Sequence, residues 1–325
     1  MPKGTDRSEL LAQVAHLYFD KNMNQMAIAD RLGISHASVS RLLTQAREQG
    51  IVEITIHYPL HTSPDLEKKL LNQFGLKEAH ILNTSELDLN DRLTRVSLLA
   101  DKYIESTLQD GDILAISWGS TLLEVGQNFH PTRRINNIEV VQLVGAVGSS
   151  QIEIDATNLV RMFARAVGGN YYNLNAPMMV ESEQTQKALL QEPSIIETLK
   201  RASRASMALV GIGEIERALS TVHRITILDD ASIQALHEQK AVGGICSQYY
   251  DLQGKPISDK VNCRVIGLDL QSLKRIPSVV GVALGEHKAL AILGALHGHF
   301  LNVLVTDDQT AESILRLADL YDDRH

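Results

Sequence analysis

Two cysteines in 325 residues, Cys246 and Cys263, are too few to frame a disulfide-stapled fold. Their scarcity fits a reducing compartment, and a cytoplasmic location is expected. The N-terminus shows no apolar segment of the kind that directs secretion, and no apolar run nears the ~18 residues that would cross a bilayer, so neither export nor membrane insertion is expected. Aromatic residues make up 4% of the chain, which argues against stacking platforms for single-stranded nucleic acid. Positive charge is not in excess either, and a formal net charge of −8 excludes a general coat for polyanions. The histidines, among them His223, His237, His287, His297 and His299, have no Cys or carboxylate at metal-ligand spacing. Neither a nucleophile elbow nor a Walker phosphate loop is present. No metal, cofactor or catalytic residue is therefore assigned.

What is present begins at residues 24–50, NQMAIADRLGISHASVSRLLTQAREQG. Met26, Ala27, Ala29 and Leu32 fall on one helical face, and Ile34, Val39, Leu42, Leu43 and Ala46 on another, which predicts two short amphipathic helices sharing a small core. Gly33 stands where the chain must leave the first helix, and Ser35 can cap the second. Leu10, Leu11, Val14, Ala15, Leu17 and Tyr18 supply a preceding helix, while Ile51, Val52, Ile54 and Ile56 alternate like the strand of a wing. Together these predict a winged helix-turn-helix over residues 1–60, whose second helix enters the major groove of double-stranded DNA. His36, Ala37 and Arg41 are the base-contact candidates. Arg41 can fork onto guanine, His36 can donate to an acceptor edge, and Ala37 can touch a thymine methyl. Ser35 and Ser38 are placed to hold phosphates.

Charge qualifies that picture. Through residue 57 the six cations Lys3, Arg7, Lys21, Arg31, Arg41 and Arg47 are matched by the six acids Asp6, Glu9, Asp20, Asp30, Glu48 and Glu53. DNA binders draw much of their affinity from phosphate neutralisation, so one neutral module should bind weakly and gain from being multiplied. Oligomerisation is part of the expectation.

Two prolines in YPLHTSP, residues 58–64, mark a boundary, followed by a linker helix over about 62–75. Beyond it, short apolar runs alternate with amphipathic helices: HILNT, DILAISWG, EVVQLVGAVG, NYYNL, MALVGIG, AVGGI, RVIGLDL, SVVGVALG and LNVLVTD. Continuous Val, Ile and Leu runs ending in Gly predict a parallel sheet buried on both faces. Residues 61–325 are expected to form one α/β domain of Rossmann-like type.

Ligands of such sheets sit beyond the carboxyl ends of the strands. There the chain carries Ser117-Trp118-Gly119-Ser120-Thr121 at a helix start, a composition suited to a phosphate and equally to a plain capped turn. Gly145-Ala146-Val147-Gly148 and Gly211-Ile212-Gly213 end two further strands, either as close-approach loops or as tight turns, and neither is a dinucleotide fingerprint. Lys288 is a candidate phosphate counter-charge or a solvated helix lysine. Asp251 can accept from ligand hydroxyls or simply form its turn.

NQMAIADRLGISHASVSRLL, AREQGIV, GDILAISWGSTL, EVVQLVGAVGS, ALVGIG, AVGGICSQYYDLQGKPI, RVIGLDL and LNVLVTDDQTAESIL together resemble the SorC family (SorC/DeoR, sugar-binding) of bacterial transcriptional regulators, over nearly the whole chain and in the family order. The resemblance implies an effector domain similar in fold to sugar-phosphate isomerases and glucosamine-6-phosphate deaminase. It also implies control of a carbohydrate or polyol operon by a phosphorylated sugar or polyol, commonly in a tetramer. By resemblance, Gly119, Ser120, Thr121 and Lys288 grip the phosphate, while Gly145, Gly211, Gly213 and Asp251 line the sugar side. With no lysine in residues 144–149, a Schiff base from that loop is not expected. The alternative from another class is a sugar-phosphate isomerase or deaminase with an accessory DNA-binding domain. It would need a base such as Asp251, Glu214 or His287 held at the ligand, and no spacing marks a catalytic pair.

Overall fold

The computed structural model describes residues 7–52, 58–84, 87–148, 153–215, 228–257 and 261–322. The chain divides into two compact units, Met1–Pro59 and Leu60–His325.

The first unit is helical. α1 (Arg7–Ala15) runs into a π-helical turn, His16–Asp20, and is followed by α2 (Gln25–Leu32) and α3 (His36–Glu48). Asn24 caps α2 by accepting the Ala27 N–H at 2.8 Å, and Gly33 ends it with φ 66°, a left-handed conformation that costs a glycine little. Ser35 then caps α3 by accepting the Ser38 N–H at 3.2 Å. The core joins Val14, Leu17, Ile28, Ala29, Val39 and Leu43. Met26, expected on the inner face of α2, is 68% exposed, because Ile28 and Ala29 take that face. Ile51 and Val52 lie in a bend, both amides donating to the Ala46 carbonyl at 2.8 and 3.1 Å. The remaining wing residues, Ile54 and Ile56, lie outside the described residues.

The second unit opens with α4 (Pro64–Phe74), stopped by Gly75 at φ 64°. It is more than a spacer, since Leu70 and Phe74 are buried in the main core. Seven parallel strands then build one sheet in the order β1 (Glu78–Leu82), β10 (Val303–Asp307), β9 (Ser278–Val282), β5 (Met207–Gly211), β2 (Ile113–Ile116), β3 (Glu139–Gln142) and β4 (Asn170–Tyr172). Successive residues of each central strand enter opposite cores. Ala115, Ala208, Val210, Val279 and Leu304 face one side, against α4 and the helices Ala289–His297 and Asp308–Asp322. Leu114, Ile116, Met207, Leu209, Val280, Val303 and Val305 face the other, against α5 (Leu89–Thr107), α6 (Ser120–Asn128) and α7 (Ala156–Val167). Burial on both faces is why these strands read as unbroken apolar runs.

Two expected parallel strands are not there. AVGGI is β7 (Ala241–Ile245), the middle of a small antiparallel sheet between β6 (Gly213–Glu214) and β8 (Gln248–Asp251). The reason is the two-residue connection Cys246-Ser247, with φ 51° and 60°, which returns the chain as a tight hairpin. RVIGLDL forms only single bridges, Val265 with Met179 and Gly267 with Val144, between a 3₁₀ turn (Asn262–Arg264) and a short helix (Leu270–Leu273).

Candidate functional site

β2 is followed in the chain by β3 on one side of it, whereas β5, on its other side, leads on to β9. The carboxyl ends of β2 and β5 therefore flank the point where the winding reverses, the place an open α/β sheet leaves a crevice. A cavity of about 620 Å³, mouth included, lies there. It is lined by Ser117–Leu122 from the loop entering α6, by Gly211–Glu214 from the end of β5 and β6, by Gly244, Cys246, Ser247 and Tyr249 of the hairpin, and by Lys288.

Each part is placed by local chemistry. Gly119 precedes α6 with φ 126° and supplies no side-chain cap, so the helix N-terminus faces the cavity with only Ser120 and Thr121 to offer hydroxyls. Lys288 ends the 3₁₀ turn Glu286–Lys288 before the helix Ala289–His297. The turn starts at Gly285, φ 106°, whose amide donates to Thr310 Oγ1 at 2.8 Å. The hairpin tip is fastened to the same loop. Trp118 Nε1 donates to Ser247 Oγ at 3.1 Å and Cys246 Sγ approaches Ser117 Oγ at 3.4 Å. Burial pushes the Cys246 thiol up to about 12, which keeps it protonated and unsuited to nucleophilic work. Burial likewise raises the Tyr249 phenol above its ordinary range.

Of the effector candidates, Gly119, Ser120, Thr121, Gly211, Gly213 and Lys288 line this cavity together. Gly145 and Asp251 do not. The loop after β3 spends its amides inside the protein: Gly145 N donates to Ile266 O at 2.9 Å, Ala146 N to Ala176 O at 2.8 Å and Val147 N to Asp155 Oδ2 at 2.5 Å. Gly145 is a glycine for packing, because a Cβ there would lie 2.3 Å from the Pro177 carbonyl oxygen. Asp251 accepts the Lys255 N–H at 2.8 Å and closes a turn through Gly254. Cys246, Ser247 and Tyr249 line the cavity with no expectation attached to them, and Glu214, offered by the sequence only as a base for the enzymatic alternative, lines it too. The polar CSQYY stretch was the available signal.

In the first unit, His36, Ala37 and Arg41 are exposed on the first turns of α3. Arg41 Nε donates to the Ala37 carbonyl at 3.2 Å, and the Ser35 and Ser38 hydroxyls pair at 2.8 Å. His36, Ala37 and Arg41 thus stand on one exposed helix start, whereas the two serines chiefly stabilise it.

Comparison with known proteins decides what this architecture belongs to. The sugar-binding domain family (Sugar-bind) matches residues 58–316. The deoxyribonucleoside regulator of Bacillus subtilis (strain 168) is 31% identical over 310 residues, 95% of this chain and 98% of that protein. The chain belongs to the SorC family of transcriptional regulators. Another member, the transcriptional regulator LsrR of Escherichia coli O157:H7, is 32% identical over 317 residues, 97% of this chain and 96% of its own. The crystal structure of the full-length sorbitol operon regulator SorC from Klebsiella pneumoniae matches with a TM-score of 0.71 at 27% identity, over 96% of this chain and 100% of that one. These family members are regulators, and the protein is a transcriptional regulator rather than an isomerase or deaminase.

Proposed function

We propose that the protein is a cytoplasmic DNA-binding regulator of a carbohydrate or polyol operon, controlled by a phosphorylated sugar or polyol. In this reading residues 1–60 form a winged helix-turn-helix with α3 as recognition helix, and residues 61–325 form the effector-binding and oligomerisation domain of a tetramer. His36, Ala37 and Arg41 read base edges, and Ser35 and Ser38 lie against the backbone. The observation that carries the effector assignment is the meeting, at the strand switch point, of the uncapped α6 N-terminus with Ser120, Thr121 and Lys288 in one cavity. Backbone amides, a helix dipole and an ammonium group together suit a phosphate monoester. Related regulators named for sorbitol and for deoxyribonucleosides favour carbohydrate chemistry for the rest of the ligand. Regulation follows if the effector binds the DNA-competent and DNA-incompetent arrangements unequally.

The test is an operator gel shift with hexose, pentose and hexitol monophosphates. At least one should change DNA affinity by about fivefold or more, a coupling of ordinary size. Indifference to every phosphate would remove the regulatory link.

A further inference from the structure

The cavity holds a carboxylate that phosphate binding does not explain. Glu214 ends β6 beside β7, where its register partner is Gly243. It is 7% exposed and lines the same cavity as Lys288 and the α6 N-terminus. Among the described residues none donates a hydrogen bond to its side chain and none forms an ion pair with it. Its oxygens are not among the buried polar atoms left without a partner, so it is the open cavity that keeps them hydrated, and a ligand's hydroxyls entering that cavity can take the water's place as donors. Nearby, Tyr249 is a second buried polar residue on the cavity wall whose hydroxyl has no hydrogen-bond partner among the described residues.

We infer that Glu214 is a specificity-determining residue that accepts hydrogen bonds from hydroxyl groups of the effector and excludes ligands carrying a second anionic group. The effector class is thereby narrowed to phosphate monoesters of polyhydroxylated, otherwise neutral molecules, as against sugar bisphosphates and phosphorylated sugar acids. Hydroxyls donate to a carboxylate with the strength of charge-assisted bonds. A second phosphate or a carboxylate placed beside Glu214 would set like charges together in a partly desolvated cleft. The inference rests on the proposal that this cavity takes a phosphorylated effector.

Titration calorimetry on the full-length protein tests it, using hexose, pentose and hexitol monophosphates alongside fructose 1,6-bisphosphate, 6-phosphogluconate and inorganic phosphate. The best monophosphate should bind the wild type at least tenfold more tightly than the bisphosphate and the acid. Glu214→Gln should weaken that monophosphate about tenfold and narrow the gap to the doubly anionic ligands, while leaving inorganic phosphate no weaker. Glu214→Asp, with unchanged charge and shorter reach, should weaken the monophosphate yet keep the discrimination, which separates recognition from misfolding. Equal wild-type affinity for bisphosphate and monophosphate, or an unchanged monophosphate affinity in Glu214→Gln, would overturn the role of Glu214 while leaving the phosphate site standing. No binding of any monophosphate, with Lys288→Gln indistinguishable from wild type toward inorganic phosphate, would instead overturn the effector proposal beneath it.

Discussion

At the residue scale the buried carboxyl groups separate by what surrounds them. Asp307 is fully buried but receives Arg92 Nε at 2.9 Å and Nη2 at 2.5 Å, so its charge is matched. Asp101, on α5, has no hydrogen-bond partner among the described residues for either oxygen. Burial, followed by the charges of Glu105 and Glu124, pushes it up to about 9. Between pH ~4 and ~9 the folded protein therefore keeps a proton that the unfolded chain releases. Its contribution to stability is greatest below about pH 4 and is lost progressively as pH rises through that window. Asp101→Asn, which cannot ionise, should gain in melting temperature relative to wild type as pH rises from 5 to 9, by an amount on the order of 5 °C at the upper end. A difference that stays flat with pH would show that Asp101 is ionised in the folded state. Nothing in the sequence around Asp101 marks it, because the lack of partners is set by packing against α6. The glycine loops make the same point. GSS at Gly148 and GST at Gly119 look alike in sequence, yet the first loop sends its amides to Ile266, Ala176 and Asp155 while the second opens a helix at a cavity. Sequence alone offers the first as a close-approach loop or a tight turn and the second as a phosphate site or a capped turn, and only the location of their partners, some 30 residues away in the chain for Ala176, decides.

At the scale of elements, the strands of the central sheet were legible because burial on both faces leaves a local signature, an unbroken apolar run. AVGGI and RVIGLDL carry the same signature for other reasons. The glycines of AVGGI are small because Ala291 and Tyr249 press against them, with a Cβ on Gly243 falling 2.5 Å from that of Ala291. RVIGLDL is apolar because it bridges two loops over the carboxyl edge of the sheet. Periodicity reports burial and cannot say against what. The helix starts were more readable, since Asn24, Ser35, Asp155, Ser182 and Asp229 all act as side-chain caps. Asp155 does more than cap, for it bonds the amides of both Thr157 in α7 and Val147 in the loop after β3. Asp155→Ala should leave both amides unpaired in a part of the fold where Asp155 is 6% exposed, and should cost about 2 kcal/mol or more in chemical denaturation. Its affinity for inorganic phosphate should stay as in the wild type, since Asp155 does not line the cavity. A loss of phosphate affinity with little loss of stability would make the loop after β3 part of the site after all.

At the scale of the whole molecule the question is how a first unit with balanced charge would hold DNA in the proposed role. The described part of the first unit offers a helix start with His36, Ala37 and Arg41 exposed, but the segment through residue 57 carries as many acids as cations and the chain as a whole is −8. On the proposed reading such a module gains little from counterion release, and its affinity is expected to come from several modules engaging at once. Full-length relatives in the SorC family match across both units, so the first unit and the large α/β unit go together. Intact protein should therefore bind a DNA carrying two correctly spaced half-sites ~10² to 10⁴ times more tightly than the same length of DNA with one half-site scrambled, the range expected when a second contact becomes intramolecular. Fluorescence anisotropy at fixed salt measures the ratio directly. A ratio near two, the value expected from counting independent sites, would mean that one module suffices, and the large unit would then control something other than how many readers reach the operator together.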